Sequence, residues 1–251
     1  MKIIVLGSGT STGVPLVGCG CPVCRSTDPH DRRTRSSLLI CHDSQKILID
    51  SSTDLRYQML RERIDRIDAV LFTHAHADHV NGIDDLRGFY FQHREMIPCY
   101  ACPPTIERLL KGFGYVFHRD DGATHPPILE ANTIDGPFEL FGLRIIPVPL
   151  THGAGVSCGF RIGNFAYLTD CSKIPVSSLA LLQGVATVII DGLRWSPHPY
   201  HFNIAGAIEA LHSLHPERII LTHLTHELFH SEGKRLPDGV EFAFDGMNFE
   251  L

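Results

Sequence analysis

Between positions 74 and 79 the chain reads His-Ala-His-Ala-Asp-His, four side chains able to ligate a cation within six residues. They follow the apolar run Ala69-Val70-Leu71-Phe72, which reads as a buried strand. If strand alternation carries past Phe72, His74 and His76 point the same way, and a turn into a helix brings Asp78 and His79 round to a neighbouring point. One short stretch can then serve two metals. Two zinc-like ions need more than four ligands, and three further candidates stand at the ends of predicted strands. His152 follows a strand ending at Leu150, Asp170 closes the strand 164–169, and His223 closes the strand 218–222. Each alone is explained as well by a capping role. Together they stand at comparable strand ends, where α/β proteins build their sites.

A second cluster is Cys19-Gly20-Cys21-Pro22-Val23-Cys24. Three thiolates this close favour a soft tetrahedral ion, and a fourth ligand would close a structural zinc site. Asp50, ending the strand 46–50, reads from local sequence as a turn residue. Gly7-Ser8-Gly9-Thr10-Ser11-Thr12-Gly13 is one residue too long for a dinucleotide fingerprint and lacks the phosphate-loop lysine. It reads as a backbone turn lining the metal cleft. Cys41, Cys158 and Cys171 read as small buried residues, and Cys99 and Cys102 as structural despite their CxxC spacing.

Short β-branched runs at 2–6, 37–41, 46–50, 69–72, 143–149, 157–162, 164–169, 187–191 and 218–222 predict strands. Helical patterns lie between them. Thr53 is expected to cap a helix carrying Leu55 and Met59, a second helix starts near Pro104, and Asn203 caps one with Ile204, Ala207, Ile208 and Leu211 on a single face. Hairpins sit beside strand-helix alternations, which fits a four-layer αββα sandwich better than a doubly wound sheet. No repeat and no long Pro/Gly/Ser tract divides the chain, so one domain over 1–251 is expected.

Basic residues number 22 and acidic ones 28, a net charge of −6, with no block of like charge. A nucleic-acid surface is disfavoured. No apolar run is long enough to span a membrane and no secretory signal is evident, so a cytoplasmic protein with reduced thiols is expected.

These motifs resemble the metallo-β-lactamase superfamily, whose HxHxDH signature matches His74, His76, Asp78 and His79, and the resemblance runs along the whole chain. It implies two divalent ions, zinc or manganese. One would be held by His74, His76 and His152, the other by Asp78, His79 and His223, with Asp170 shared. Asp50 matches the acidic position that supports the ligand loop by hydrogen bonds, here beside Ser51-Ser52 where the family carries glycine. Within the superfamily the chain resembles the cyclic phosphodiesterases of the carbon-phosphorus lyase pathway. Those carry a CxCxxC segment and a His three residues after the last active-site His, here His226 in Leu-Thr-His-Leu-Thr-His, and they share the tail pattern of 236–247. That resemblance implies a structural zinc on Cys19, Cys21, Cys24 and His226. It also implies a catalytic His201 that protonates the leaving group, with Asp78 orienting the nucleophile. The pyrroloquinoline quinone biosynthesis B proteins share a Cys cluster but depart from the full ligand set.

The expected activity is hydrolysis of a small cyclic phosphodiester of the ribosyl cyclic phosphate type to a phosphomonoester, with a homodimer left open as the assembly. Two alternatives stand beside it: a ribonuclease Z-like RNA-processing endonuclease and a non-catalytic metal-binding partner protein. The ribonuclease carries an RNA-binding arm between the positions matching His152 and Asp170, where this chain has 17 residues.

Overall fold

The computed structural model describes residues 1–118 and 126–251. Six strands occupy the first half: β1 (Lys2–Gly7), β2 (Ser37–His42), β3 (Gln45–Ile49), β4 (Ala69–Leu71), β5 (Ile97–Ala101) and β6 (Leu129–Thr133). Eight follow: β7 (Phe138–Leu140), β8 (Leu143–His152), β9 (Gly155–Ile162), β10 (Phe165–Leu168), β11 (Thr187–Asp191), β12 (Arg218–Thr222), β13 (Val240–Phe242) and β14 (Asn248–Glu250). The α-helices are α1 (Leu55–Glu62), α2 (Ala77–Val80), α3 (Arg87–His93), α4 (Pro103–Phe117), α5 (Val176–Leu181) and α6 (Ile204–Leu211). The strands form two mixed seven-stranded sheets, ordered β14-β1-β2-β3-β4-β5-β6 and β13-β12-β11-β10-β9-β8-β7. In each, an antiparallel hairpin region gives way to parallel strands at β3-β4 and at β10-β11.

Period-two alternation explains why the apolar runs are almost continuous. Ile3 and Val5 of β1, with Leu38, Ile40, Ile47 and Ile49, face the inner layer and meet Phe160, Phe165, Tyr167, Ile189 and Ile220 of the other sheet. Their neighbours Ile4, Leu6, Leu39 and Leu48 face outward against Leu55, Met59, Ile106 and Leu109 of α1 and α4. On the second sheet Val188, Ile190, Ile219 and Leu221 do the same against Ile204, Ala207 and Leu211 of α6. The result is the αββα sandwich expected from the sequence. No described helix is long and apolar enough to cross a membrane.

Asn203 caps α6 through its side chain, which accepts from the Gly206 amide. Thr53 does not cap α1. Asp54 holds that position, its carboxylate drawn instead to the Arg35 amide and guanidinium, while the Thr53 hydroxyl donates to the Ala77 carbonyl. The sequence reading missed β5, β6, β7, β13 and β14; the last four are short and are the edge strands of the two sheets. β8 is longer than expected and carries His152 as its last residue.

The Gly-rich turn after β1 is held from both sides of the molecule. The Gly9 amide donates to the Thr34 carbonyl and the Thr10 amide to the Leu224 carbonyl. A Cβ at Gly7 would lie 2.0 Å from the Arg35 carbonyl oxygen, so the close approach requires glycine. Asp245, near the C-terminus, gathers this region. Its carboxylate accepts from the amide and hydroxyl of Ser8, the amide and hydroxyl of Thr34, and the Arg61 guanidinium, at 2.6–3.0 Å. Asp245→Ala is expected to lower the unfolding free energy by about 2–4 kcal/mol, since it strands several buried donors. Urea denaturation measures it, and a change within about 0.5 kcal/mol, typical of an inert surface site, would contradict the role.

Candidate metal centre

The centre is assembled from the carboxyl ends of strands in both sheets. Asp50 follows β3 with φ +61°, a left-handed conformation uncommon for a residue with a Cβ. The Leu71 carbonyl holds its amide, and its own carbonyl accepts from Ser37 Oγ. The turn aims a fully buried carboxylate at the His74–His79 segment. Asp50 Oδ1 accepts from the Thr73 amide at 2.8 Å, and Oδ2 from Thr73 Oγ1 and His79 Nδ1, both at 2.7 Å. With Nδ1 engaged, His79 directs Nε2 toward Asp78 and Asp170. His152 is fixed in the same manner, its Nδ1 donating to the Tyr200 carbonyl at 2.9 Å. His223 follows β12 with φ +58°.

These placements bring the seven candidates together. Ligand atoms of His74, His76, His152 and Asp170 lie within 4.8 Å of one another, as do those of Asp78, His79, Asp170 and His223. Asp170 is common to both groups. Its Oδ1 stands 3.3 Å from His79 Nε2 and from His223 Nδ1, while Oδ2 stands 3.6 Å from His74 Nε2 and 3.9 Å from His152 Nε2. One oxygen thus faces each group.

The donor set fits a pair of divalent ions. Zinc bonds of about 2.0–2.1 Å to nitrogen and oxygen at a tetrahedral angle set edges of about 3.3 Å. His76 Nδ1 and His152 Nε2 are 3.3 Å apart, and His79 Nε2 is 3.3 Å from Asp78 Oδ2. His74 Nε2 and His79 Nε2 are buried without a hydrogen-bond partner among the described residues. Nitrogen atoms in that position call for a cation. Burial opposes a charge on His79, but Asp170, Asp50 and Asp78 outweigh it and raise its pKa well above the usual range. On His74 burial wins, assisted by His79, and keeps the ring neutral.

Cys19, Cys21, Cys24 and His226 form a separate cluster, with ligand atoms again within 4.8 Å of one another. His226 Nδ1 is 3.5 Å from Cys19 Sγ and 3.4 Å from Cys21 Sγ, against about 3.6 Å for the N···S edge of a zinc tetrahedron. The Cys24 amide donates to Cys21 Sγ and, with His226, lowers that thiol to about 6, whereas burial pushes Cys24 up to about 11. Arg33, fully buried, donates to the carbonyls of Thr225 and Leu228 and so fixes the loop that presents His226.

His201 lies beside both groups, its ring stacked on His223 with centroids 4.6 Å apart. Its Nδ1 is 2.7 Å from Asp191 Oδ2, and Asp191, fully buried at the end of β11, also accepts from Thr169 Oγ1 and the Cys171 amide. Burial lowers the His201 pKa, but the Asp191 hydrogen bond and charge reverse the shift and raise it. The sequence reading missed Asp191. It closes a predicted strand as Asp170 does, so the criterion that found Asp170 would have found it. The histidines converge on a cleft of about 670 Å³, whose other lining residues include Ser11, Thr105, Arg108, Val156 and Tyr200. Asp50→Asn should weaken metal binding about 10- to 100-fold through loss of His79 orientation. Competition with a chelator measures this, and unchanged affinity would show that Asp50 does not act through the imidazole.

The geometry has counterparts in known proteins. Residues 45–224 match the model of the beta-lactamase superfamily domain. An octanoyltransferase of Porphyromonas gingivalis is 42% identical over 253 residues, which cover 98% of this chain and 51% of that protein, so the chain spans about half the length of this relative. Coenzyme PQQ synthesis protein B of Methylobacterium nodulans is 38% identical over 225 residues, covering 76% of this chain and 73% of that protein. A crystal structure described as a new diphosphatase from the PhnP family superposes with a TM-score of 0.92 at 40% identity, over 100% of this chain and 97% of that one. Through the matched domain and this fold, the chain belongs to the metallo-β-lactamase superfamily.

Proposed function

We propose that the chain is a dinuclear metal-dependent phosphodiesterase that opens a small cyclic phosphodiester, of the ribosyl cyclic phosphate type, to a phosphomonoester. The observation that carries this reading is the Asp170 carboxylate, which turns one oxygen to the His79–His223 side and the other to the His74–His152 side. Similarity to the PhnP-family diphosphatase supports phosphoryl chemistry over other hydrolyses. Two divalent ions held by His74, His76 and His152, and by Asp78, His79 and His223, with Asp170 between them, would supply Lewis acidity for the developing phosphoryl charge and acidify water.

The remaining work falls to side chains of this chain. Asp78 accepts a hydrogen bond from the attacking water and orients it. His201, with Nδ1 held by Asp191, turns Nε2 toward the cleft and protonates the departing alkoxide. The raised pKa of His201 suits it to carry that proton near neutrality. A small substrate is favoured over RNA because residues 155–168 between His152 and Asp170 are taken up by the β9–β10 hairpin, which leaves no segment for an RNA-binding arm.

Metal-loaded protein should hydrolyse cyclic phosphodiesters in preference to precursor transfer RNA; the reverse preference would overturn the assignment. His201→Gln should slow alkyl phosphodiesters by about 10²–10⁴-fold and p-nitrophenyl diesters far less, because a good leaving group needs little protonation. An equal loss on both would remove His201 from that role.

We assign Cys19, Cys21, Cys24 and His226 to a structural zinc distinct from the reactive centre. Cys21→Ser should lose one zinc per chain by elemental analysis and unfold at lower temperature, since metal binding contributes directly to folding free energy. Full zinc content in that variant would refute the site.

A further inference from the structure

All eight cysteines are free, and three of them belong to the cluster with His226. Of the other five, Cys41 and Cys99 pack on the helix side of the first sheet and Cys171 on the helix side of the second. Only Cys102 and Cys158 share the layer between the sheets. Backbone pairing brings them to one place. The Phe72 amide donates to the Tyr100 carbonyl at 2.9 Å, which sets Thr73 beside the end of β5, and the Cys158 amide donates across the sandwich to the Thr73 carbonyl at 2.9 Å. The two thiols, far apart in sequence, are hydrogen-bonded to each other. That contact lowers the Cys102 pKa and raises the Cys158 pKa, where burial adds to the shift. Cys102 is half-buried and reaches solvent, whereas Cys158 is 2% exposed. The pair therefore sets a reachable thiol disposed to ionise against a protected one, the arrangement of an attacking and a resolving cysteine.

We infer that Cys102 and Cys158 are a modification site for hydroperoxides, which oxidise the pair to a disulfide that ties the two sheets together beside the metal centre and weakens its hold on metal. The Cys102 thiolate attacks one peroxide oxygen and breaks the O–O bond. This gives a sulfenic acid and an alcohol, or water from hydrogen peroxide, which takes up the proton that Cys102 released. The Cys158 sulfur then attacks the sulfenyl sulfur; the S–S bond forms, and hydroxide leaves with the second thiol proton as water. Two electrons pass from the sulfurs to the peroxide, and excess small-molecule thiol reverses the change by exchange. The link to the metal centre is short. Ser157, next to Cys158, donates from Oγ to the Asp170 carbonyl, and Thr73, which receives the Cys158 amide, is the residue that Asp50 holds beside His74. Joining the sulfurs turns a non-bonded contact into a bond and draws β9 toward the start of α4. That movement reaches the Asp170 backbone and the His74–His79 segment together.

The test treats metal-loaded protein with hydrogen peroxide in slight molar excess, then alkylates it and digests it with trypsin. Peptides 95–108 and 145–161 should appear joined, lighter by two hydrogens than the separate pair and parted by reduction. The link should survive Cys99→Ala, which removes the other cysteine of the first peptide, and vanish in Cys102→Ser. No link in wild type, or a link retained in Cys102→Ser, would overturn the site. Cys158→Ala should stop the reaction at the sulfenic acid, read as a dimedone adduct on Cys102, and absence of that adduct would overturn the order of attack. Peroxide also reaches the Cys19–Cys24 cluster, so metal affinity is compared between wild type and Cys102→Ser after the same treatment. Competition with a chelator should show oxidised wild type holding the metal pair about tenfold more weakly than treated Cys102→Ser, the low end of what lost support around metal ligands costs. Reduction should restore it. Equal affinity in the two treated proteins would refute the coupling to the metal centre.

Discussion

Asp170 sets the terms for the rest of the molecule. A carboxylate at 2% exposure is costly to bury unless several donors or cations surround it. Here it is ringed by His74, His79, His152 and His223, and these rings must present nitrogens to it from three separate parts of the chain. Strand ends from both sheets have to meet at one point. The inner core, with Ile3, Val5, Leu38 and Ile47 against Phe160, Phe165 and Tyr167, brings the sheets together closely enough for that.

The same device orients the imidazoles on both sides of the sandwich. Asp50 follows β3 in the first sheet, accepts from the amide and hydroxyl of Thr73, and fixes His79 through Nδ1. Asp191 ends β11 in the second, accepts from the Thr169 hydroxyl and the Cys171 amide, and fixes His201 through Nδ1. A buried carboxylate with its own donors satisfied cannot move to meet a ring, so the ring is held to one orientation. The two carboxylates differ in what they orient. His79 faces the candidate metal ligands, whereas His201 lines the cleft beside them, stacked on His223.

The amino-terminal segment joins this frame by contacts far apart in sequence. Asp245 holds Ser8 and Thr34, and Arg33 holds the loop that carries His226 toward Cys19 and Cys21. The turn after β1 is thereby fixed against the loop after His223, whose Leu224 amide donates to the Ser8 carbonyl. A structural ion at the four-residue cluster would stiffen the margin of the cleft without entering it.

Local sequence was enough for features whose physics is local. The HxHxDH run declares its candidate ligands by residue type and spacing, and the apolar runs of β1, β3, β11 and β12 are legible because strands buried on both faces leave almost no polar position. The helix cap at Asn203 is equally local. The edge strands β6, β7, β13 and β14 were not legible, because their pairing is supplied by neighbours rather than by their own pattern. Asp54 displaced Thr53 at the start of α1 because Arg35, distant in sequence, captures its carboxylate. Asp191, Thr105 and Arg108 carry no motif. Only the tertiary structure sets Asp191 against His201 and brings Thr105 and Arg108 of α4 into the same cleft as the histidines, since a side chain's surroundings there depend on which distant groups it meets.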